Sequence, residues 1–235
     1  MATSAKNLRT LAIDIGGSGL KMLILDGRGK AITERSRVAT PKKATPNAVL
    51  KALQTLIAHQ GTFDRISVGF PGVVVNGKTL NAVNLDPAWT DFDLAKALEK
   101  RTGKPVRVAN DADVQGLGAV EGKGVELVLT LGTGMGSALF LDGRLVPNLE
   151  LGHHPFHKGS TYEDCVGDAA LKAVGKKRWN RRIKKAVTTL DALFNYRKLY
   201  LGGGNARKLE IRLPANVEIV SNMAGLLGGI ALWRS

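Results

Sequence analysis

The run LAIDIGGSGLKMLILDGR, residues 11–28, decides the fold, because it returns as LVLTLGTGMGSALFLDGR at residues 127–144. The two copies match at a constant offset of 116, through Gly16/Gly132, Leu25/Leu141 and Asp26-Gly27-Arg28/Asp142-Gly143-Arg144. Each reads as a strand, a glycine-rich turn and a second strand. A repeat of this size predicts two similar units. Glycine at such turns lets backbone N–H groups approach an anionic oxygen, and successive N–H groups form an anion-binding nest. The expectation is a paired phosphate grip: Gly16, Gly17 and Ser18 in the first copy, Gly132, Thr133 and Gly134 in the second. Asp14 and Lys21 flank the first turn. Two ordinary hairpins with an accidental likeness are the plainer alternative.

Outward from these hairpins, strands are predicted at Leu8–Ile15, Leu20–Leu25, Ala31–Val38, Arg65–Phe70, Val106–Ala109, Leu199–Leu201 and Val217–Val220. Thr45 and Pro46 have the residue types of a helix start. Val49, Leu50, Leu53, Leu56 and Ile57 give that helix its apolar stripe. Further helices are expected over Phe92–Arg101, Asp111–Val120, Asp168–Tyr196 and Met223–Trp233, with a polar loop region at 147–167. Alternating strands and helices in both halves predict an α/β fold with mixed sheets.

At 235 residues and 44% hydrophobic content the chain can bury one large core or two small ones. Cys165 is the single cysteine, which excludes a disulfide framework and a cysteine-rich metal site. The amino-terminal MATSAKNLRT has no apolar signal region and no apolar run reaches spanning length, so a cytoplasmic protein without membrane attachment is expected. A formal charge of +14 favours anionic partners. With only 5% aromatic residues, a stacking platform for single-stranded nucleic acid is poorly supported and no DNA partner is expected. Lys172, Lys176, Lys177, Arg178, Arg181, Arg182, Lys184 and Lys185 form a basic run that reads either as a solvated face or as a track for a polyanion.

In this order, Asp14-Ile15-Gly16-Gly17, Gly69-Phe70-Pro71-Gly72, Asn110-Asp111-Ala112-Asp113, Leu131-Gly132-Thr133-Gly134, Glu150-Leu151-Gly152-His153 and Leu201-Gly202-Gly203-Gly204 resemble the ROK family of sugar kinases and sugar-responsive repressors. Within that family the pattern is most similar to the polyphosphate glucokinases, on Asn84-Leu85-Asp86, Trp89, Val146-Pro147-Asn148 and Trp179. The resemblance implies an actin-like ATPase (ribonuclease H-like) duplicated fold, two lobes with mixed sheets around a cleft. It places the first lobe at 1–110 and the second at 111–220, with a closing helix at 221–235 packed back on the first. It implies a kinase that phosphorylates glucose or a similar hexose at O6, with inorganic polyphosphate as donor and ATP as the alternative donor; a non-enzymatic sugar- or nucleic-acid-binding protein is the weaker alternative.

By resemblance, Asp111 is the general base, and Asn84, Asn110, Glu150, His153 and Glu163 hold sugar hydroxyls. Asp14 suits Mg²⁺ bound through water, and Gly202, Gly203 and Gly204 lie on the nucleotide side. Helix capping is the plainer role for Asp111, and Asp113 suits capping or polar support. Lys21 reads equally as a phosphate contact and as a solvated strand lysine. The resemblance also implies a homodimer. The family's cysteine-rich zinc motif is replaced here by His154-Pro155-Phe156-His157-Lys158, so no structural zinc is expected. Arg197-Lys198, where an acidic residue is common, is expected to add positive charge beside the nucleotide side.

Overall fold

The computed structural model describes residues 8–81, 85–220 and 224–234. The chain divides into two units: the described residues of Met1–Gly118 and Met223–Ser235 form one, and those of Ala119–Asn222 the other. Asn84, predicted to hold a sugar hydroxyl, lies outside the described residues, as does Met223 at the start of the expected closing helix.

In the first unit, β1 (Thr10–Ile15), β2 (Leu20–Leu25), β3 (Ser36–Val38) and α1 (Pro46–Ala58) come first. Then follow β4 (Arg65–Phe70), the short strands β5 (Val74–Val75), β6 (Lys78–Thr79) and β7 (Phe92–Asp93), α2 (Leu94–Thr102), β8 (Val106–Asn110) and α3 (Asp111–Leu117). The main sheet runs β3-β2-β1-β4-β8, with β1, β4 and β8 parallel. Thr45 caps α1 by accepting the Ala48 N–H at 3.3 Å, with Pro46 at the first helical position. Val49, Leu50 and Leu53 seat α1 on Leu11, Ile13, Ile15 and Val68 in one core, where Trp89 is fully buried beside Phe70.

The second unit repeats the scheme with β9 (Val125–Leu131), β10 (Met135–Leu141), β11 (Arg144–Val146), β12 (Pro155–His157), β13 (Ser160–Thr161), α4 (Tyr162–Val166), α5 (Asp168–Phe194), β14 (Lys198–Gly202) and β15 (Val217–Ile219). Its main sheet runs β11-β10-β9-β14-β15, the same order of antiparallel and parallel neighbours. The α/β fold with two mixed sheets is therefore as expected. α5 breaks at Gly175, whose φ of 74° and ψ of 161° are non-helical. Beyond the break Trp179, Ile183, Ala186, Val187 and Leu190 are buried against the sheet. Trp179 is fully buried and anchors this core, its indole N–H donating to the Val166 carbonyl at 2.8 Å.

Four expectations are corrected. The repeats do not superpose without a gap: Ile15 pairs with Leu20 across a four-residue turn, whereas Leu131 pairs with Met135 across a three-residue turn. The matching Asp-Gly-Arg runs also turn differently. Asp142 and Gly143 take φ of 50° and 76° in a two-residue hairpin loop, while Asp26 ties a longer loop by accepting the Arg28 and Lys30 N–H groups through its carboxylate. The division falls after Gly118 rather than at 110/111, because α3 packs on β4 and on the closing segment. That segment is not one α-helix: α6 (Ala224–Leu227) gives way to a 3₁₀ helix, Gly228–Trp233. A Cβ at Gly228 would overlap the Val114 carbonyl, and one at Gly229 would sit 3.1 Å from the Ser67 Cβ. The closing segment approaches the sheet and α3 too closely for side chains at those positions.

Candidate active site

In the first unit the parallel strands β1, β4 and β8 end side by side. Asp14 pairs in register with Gly69, Gly69 with Ala109, and Phe70 with Asn110. Ligands of open α/β sheets bind at this carboxyl end of the strands. Gly69 has no side chain, and a Cβ there would lie 3.4 Å from the Asp111 Cα, so the first turn of α3 sits directly on β4. Asn110 is buried, and its Oδ1 caps α3 by accepting the Ala112 and Asp113 N–H groups at 2.8 and 3.2 Å. Its amide donates to the Gly72 carbonyl at 3.2 Å. The capping role weighed for Asp111 thus falls mainly to Asn110, whose polar atoms are already engaged in a structural task. Asp111 is half-buried, with Oδ1 2.8 Å from the Ala112 N–H. Asp113, in the first turn of α3, is buried.

The first glycine turn closes with the Gly16 N–H donating to the Gly19 carbonyl at 3.1 Å. The Thr40 hydroxyl secures it by donating to the Gly16 carbonyl at 2.5 Å. Gly17 and Ser18 are exposed at its tip. Asp14 and Lys21 face each other across β1 and β2 as an ion pair at 2.6 Å. Lys21 also pairs in register with Arg37 on β3, and a Cβ at Gly19 would lie 2.9 Å from the Arg37 Nε. Sequence reasoning missed Arg37; the basic residue facing Lys21 from a third strand was its only signal.

In the second unit Glu150, His153 and Glu163 converge. The Glu150 carboxylate lies 3.5 Å from the His153 imidazole. Burial raises the Glu150 pKa above the ordinary glutamate value; Glu163 pushes it further up, and His153 opposes both. Thr161 and Asp164 form a reciprocal cap at the start of α4. This start presents Glu163 to the second glycine turn, where its Oε2 accepts the Met135 N–H at 3.1 Å. A Cβ at Gly134 would overlap that carboxylate, so the hydroxyl-ligand candidate and the turn interlock.

The second turn, with Gly132 and Thr133 leading into Gly134, closes with the Gly132 N–H donating to the Gly134 carbonyl at 3.0 Å. The turn after β14 backs onto it. Gly203 takes φ of 86°, and a Cβ there would overlap the Leu131 backbone. Gly202 is buried and Gly204 is exposed. The Asn205 amide donates to the Gly132 carbonyl at 3.1 Å and to Asp168 Oδ1 at 3.3 Å, and the Asp168 N–H donates to the Gly132 carbonyl at 3.0 Å. Asn205 and Asp168, both overlooked in the sequence, hold this turn. Their signals were an Asn just past the triple glycine and an Asp opening a helix.

The profile of the ROK family matches residues 10–165. The chain belongs to the ROK family. Polyphosphate glucokinase of Mycobacterium tuberculosis is 33% identical over 92% of this chain and 88% of its own length. That of Mycobacterium leprae is 31% identical over 94% and 73%. The crystal structure of inorganic polyphosphate/ATP-glucomannokinase from Arthrobacter sp. strain KM is 34% identical, with a TM-score of 0.88 over 97% of this chain and all of that one. A Streptomyces griseus ROK glucokinase in complex with glucose and AMPPNP, 20% identical with a TM-score of 0.80, shares the fold. The actin-like ATPase fold of these ROK kinases is therefore the fold of this chain.

Two features of this ROK chain bear on metals and charge. Among the described residues no group of three His, Cys, Asp or Glu side chains could hold a metal ion. A carboxylate such as Asp14, already paired with Lys21, fits Mg²⁺ carried on donor phosphates and bound through water, which is this ion's usual mode. Arg197 and Lys198 do not add charge beside the Gly202-Gly203-Gly204 turn as expected. They lie at the amino end of β14, away from Gly202, and are neutralised by Glu121, Glu126 and Glu218 at 2.6–3.0 Å.

Proposed function

We propose that this ROK protein is a hexose kinase that transfers the terminal phosphoryl group of inorganic polyphosphate to O6 of glucose or a similar hexose. The near full-length likeness to the Arthrobacter polyphosphate/ATP-glucomannokinase carries this reading. ATP is the second donor, favoured by that relative's being a polyphosphate/ATP kinase and by the turn Gly202-Gly203-Gly204 packed against Leu131.

A hexose hydroxyl is a weak nucleophile until a base takes its proton, and phosphoryl transfer otherwise demands positioning and charge stabilisation. Asp111 is the proposed base: its carboxylate accepts the O6 proton as O6 bonds to phosphorus and the bond to the next bridging oxygen of the donor breaks. Glu150, His153 and Glu163 accept and donate hydrogen bonds to the sugar hydroxyls, and Asn84 is assigned the same role. Asn110 acts by holding the start of α3, and so Asp111, in place. Each glycine turn offers N–H groups suited to phosphate oxygens, and Lys21 and Arg37 stand beside the first. Mg²⁺ held near Asp14 through water would neutralise phosphate charge.

The experiment is a coupled assay for glucose 6-phosphate with glucose and each donor in turn. Glucose-dependent product with polyphosphate is the expected result. Product with ATP alone would move the donor assignment to ATP, and no product with either donor would refute the kinase reading.

A further inference from the structure

Beyond the Gly175 break, α5 buries Trp179, Asn180, Ile183, Ala186, Val187 and Leu190. At 100° per residue the opposite face carries Lys177, Arg178, Arg181, Lys184 and Lys185, all exposed. These five cations occupy about 12 Å of helix at 1.5 Å per residue. No acidic residue occurs between Asp168 and Asp191 to offset them. Other basic residues nearby are engaged: Lys172 with Asp168, Lys176 with Glu210, and Arg182 with the Cys165 carbonyl. No ion pair ties Lys177, Arg178, Arg181, Lys184 or Lys185 to an acidic group among the described residues. A face needing only solvation would gain from acidic partners at i,i+4 spacing, whereas Lys177/Arg181 and Arg181/Lys185 are like-charge pairs at that spacing.

Both margins extend the positive charge. On one, Lys185 lies 3.3 Å from the His157 Nδ1, next to Lys158, and the cations Lys185, Lys158 and Arg182 hold the His157 pKa below its ordinary value. On the other, Lys184 lines a groove between α5 and segment 211–214, whose rim includes Arg212.

We infer that this face, from Lys158 and Lys185 through Arg181 and Lys177 to Lys184 and Arg212, is a binding track for the non-reacting length of an inorganic polyphosphate chain. The inference rests on the polyphosphate-donor reading above and adds a subsite to it. A linear polyanion is complementary because every repeat carries charge and the row contains no base-reading or apolar element. Capture by such a row raises the local donor concentration and depends steeply on salt. ATP and tripolyphosphate carry three phosphates each and serve as the short donors against which a long chain is compared.

The test compares the intact protein with Lys177→Ala/Arg181→Ala/Lys184→Ala, using ATP, tripolyphosphate and long-chain polyphosphate as donors. All three positions are exposed, and thermal melting checks that the fold is kept. The variant is expected to raise the KM for long-chain polyphosphate by about tenfold or more and to flatten its salt dependence, with ATP and tripolyphosphate kinetics within twofold of the intact protein. An unchanged KM for the long chain, or equal losses with all three donors, would overturn the track. Direct binding of fluorescently labelled long-chain polyphosphate decides the matter if the intact protein turns over only ATP. Salt-sensitive binding that weakens in the variant then supports the track although the donor reading fails; equal binding by both proteins, or none, overturns it. Duplex DNA displacing the label at lower concentration than unlabelled polyphosphate would also overturn it.

Discussion

Asp111 follows the last residue of β8 and opens α3, two residues beyond Ala109, which lines up with Asp14 through Gly69. If it is the base, Asp111→Asn lowers kcat by about 10²–10⁴-fold while hexose KM and melting temperature change little; a steady-state comparison with a thermal melt reads all three. Glu150 gives a second prediction. Its pKa is raised, so it takes up protons on folding. Its stabilising contribution is full below the ordinary glutamate range and is lost as pH rises through the raised value. Glu150→Gln should therefore melt higher than the intact protein at pH near 7.5 and converge with it near pH 4, while raising hexose KM. A melting series across that range, beside hexose titrations, checks both effects. The position of Asp111 was legible from a strand running into Asn-Asp. Which of the two caps the helix was not, because both residue types cap well and their register is ambiguous by one residue.

At the scale of elements, close backbone approaches decide where the candidate residues stand. Gly203 has φ of 86° and no room for a Cβ against Leu131, so Gly203→Ala should destabilise the second unit by about 1–3 kcal/mol. A drop in melting temperature of several degrees, with loss of activity for every donor, is the expected readout. Gly228→Ala would press on the Val114 carbonyl of α3, the helix that carries Asp111. It should lower kcat more than it alters hexose KM, although residue 228 is placed in no substrate contact; kinetics beside a melt separate this from simple unfolding. Strand and helix positions were largely legible from periodicity. The turn lengths were not: Gly16–Gly19 and Gly132–Gly134 look equivalent in sequence, and only the pairings Ile15–Leu20 and Leu131–Met135 reveal the missing residue. The 3₁₀ course of Gly228–Trp233 was hidden for a related reason, since it depends on which surfaces those glycines meet.

Over the whole molecule, the duplication read from two hairpins extends to two five-stranded sheets of one strand order. Its end point was less legible, because α3 packs with the first unit through contacts made by a segment more than a hundred residues later in the chain. Among the described residues no helix is long and apolar enough to cross a membrane. The homodimer implied by family resemblance is open to light scattering on the purified chain, with twice the 25.0 kDa chain mass as the expected result. A net charge of +14 should make kcat/KM for polyphosphate fall with added salt far more steeply than that for ATP. The central claim, a hexose kinase drawing on a polyanionic donor, meets its most direct test in the rate of glucose 6-phosphate formation by the purified protein, measured donor by donor at low and high salt. The account predicts glucose-dependent turnover with polyphosphate that salt suppresses; an absence of glucose 6-phosphate with every donor would contradict it.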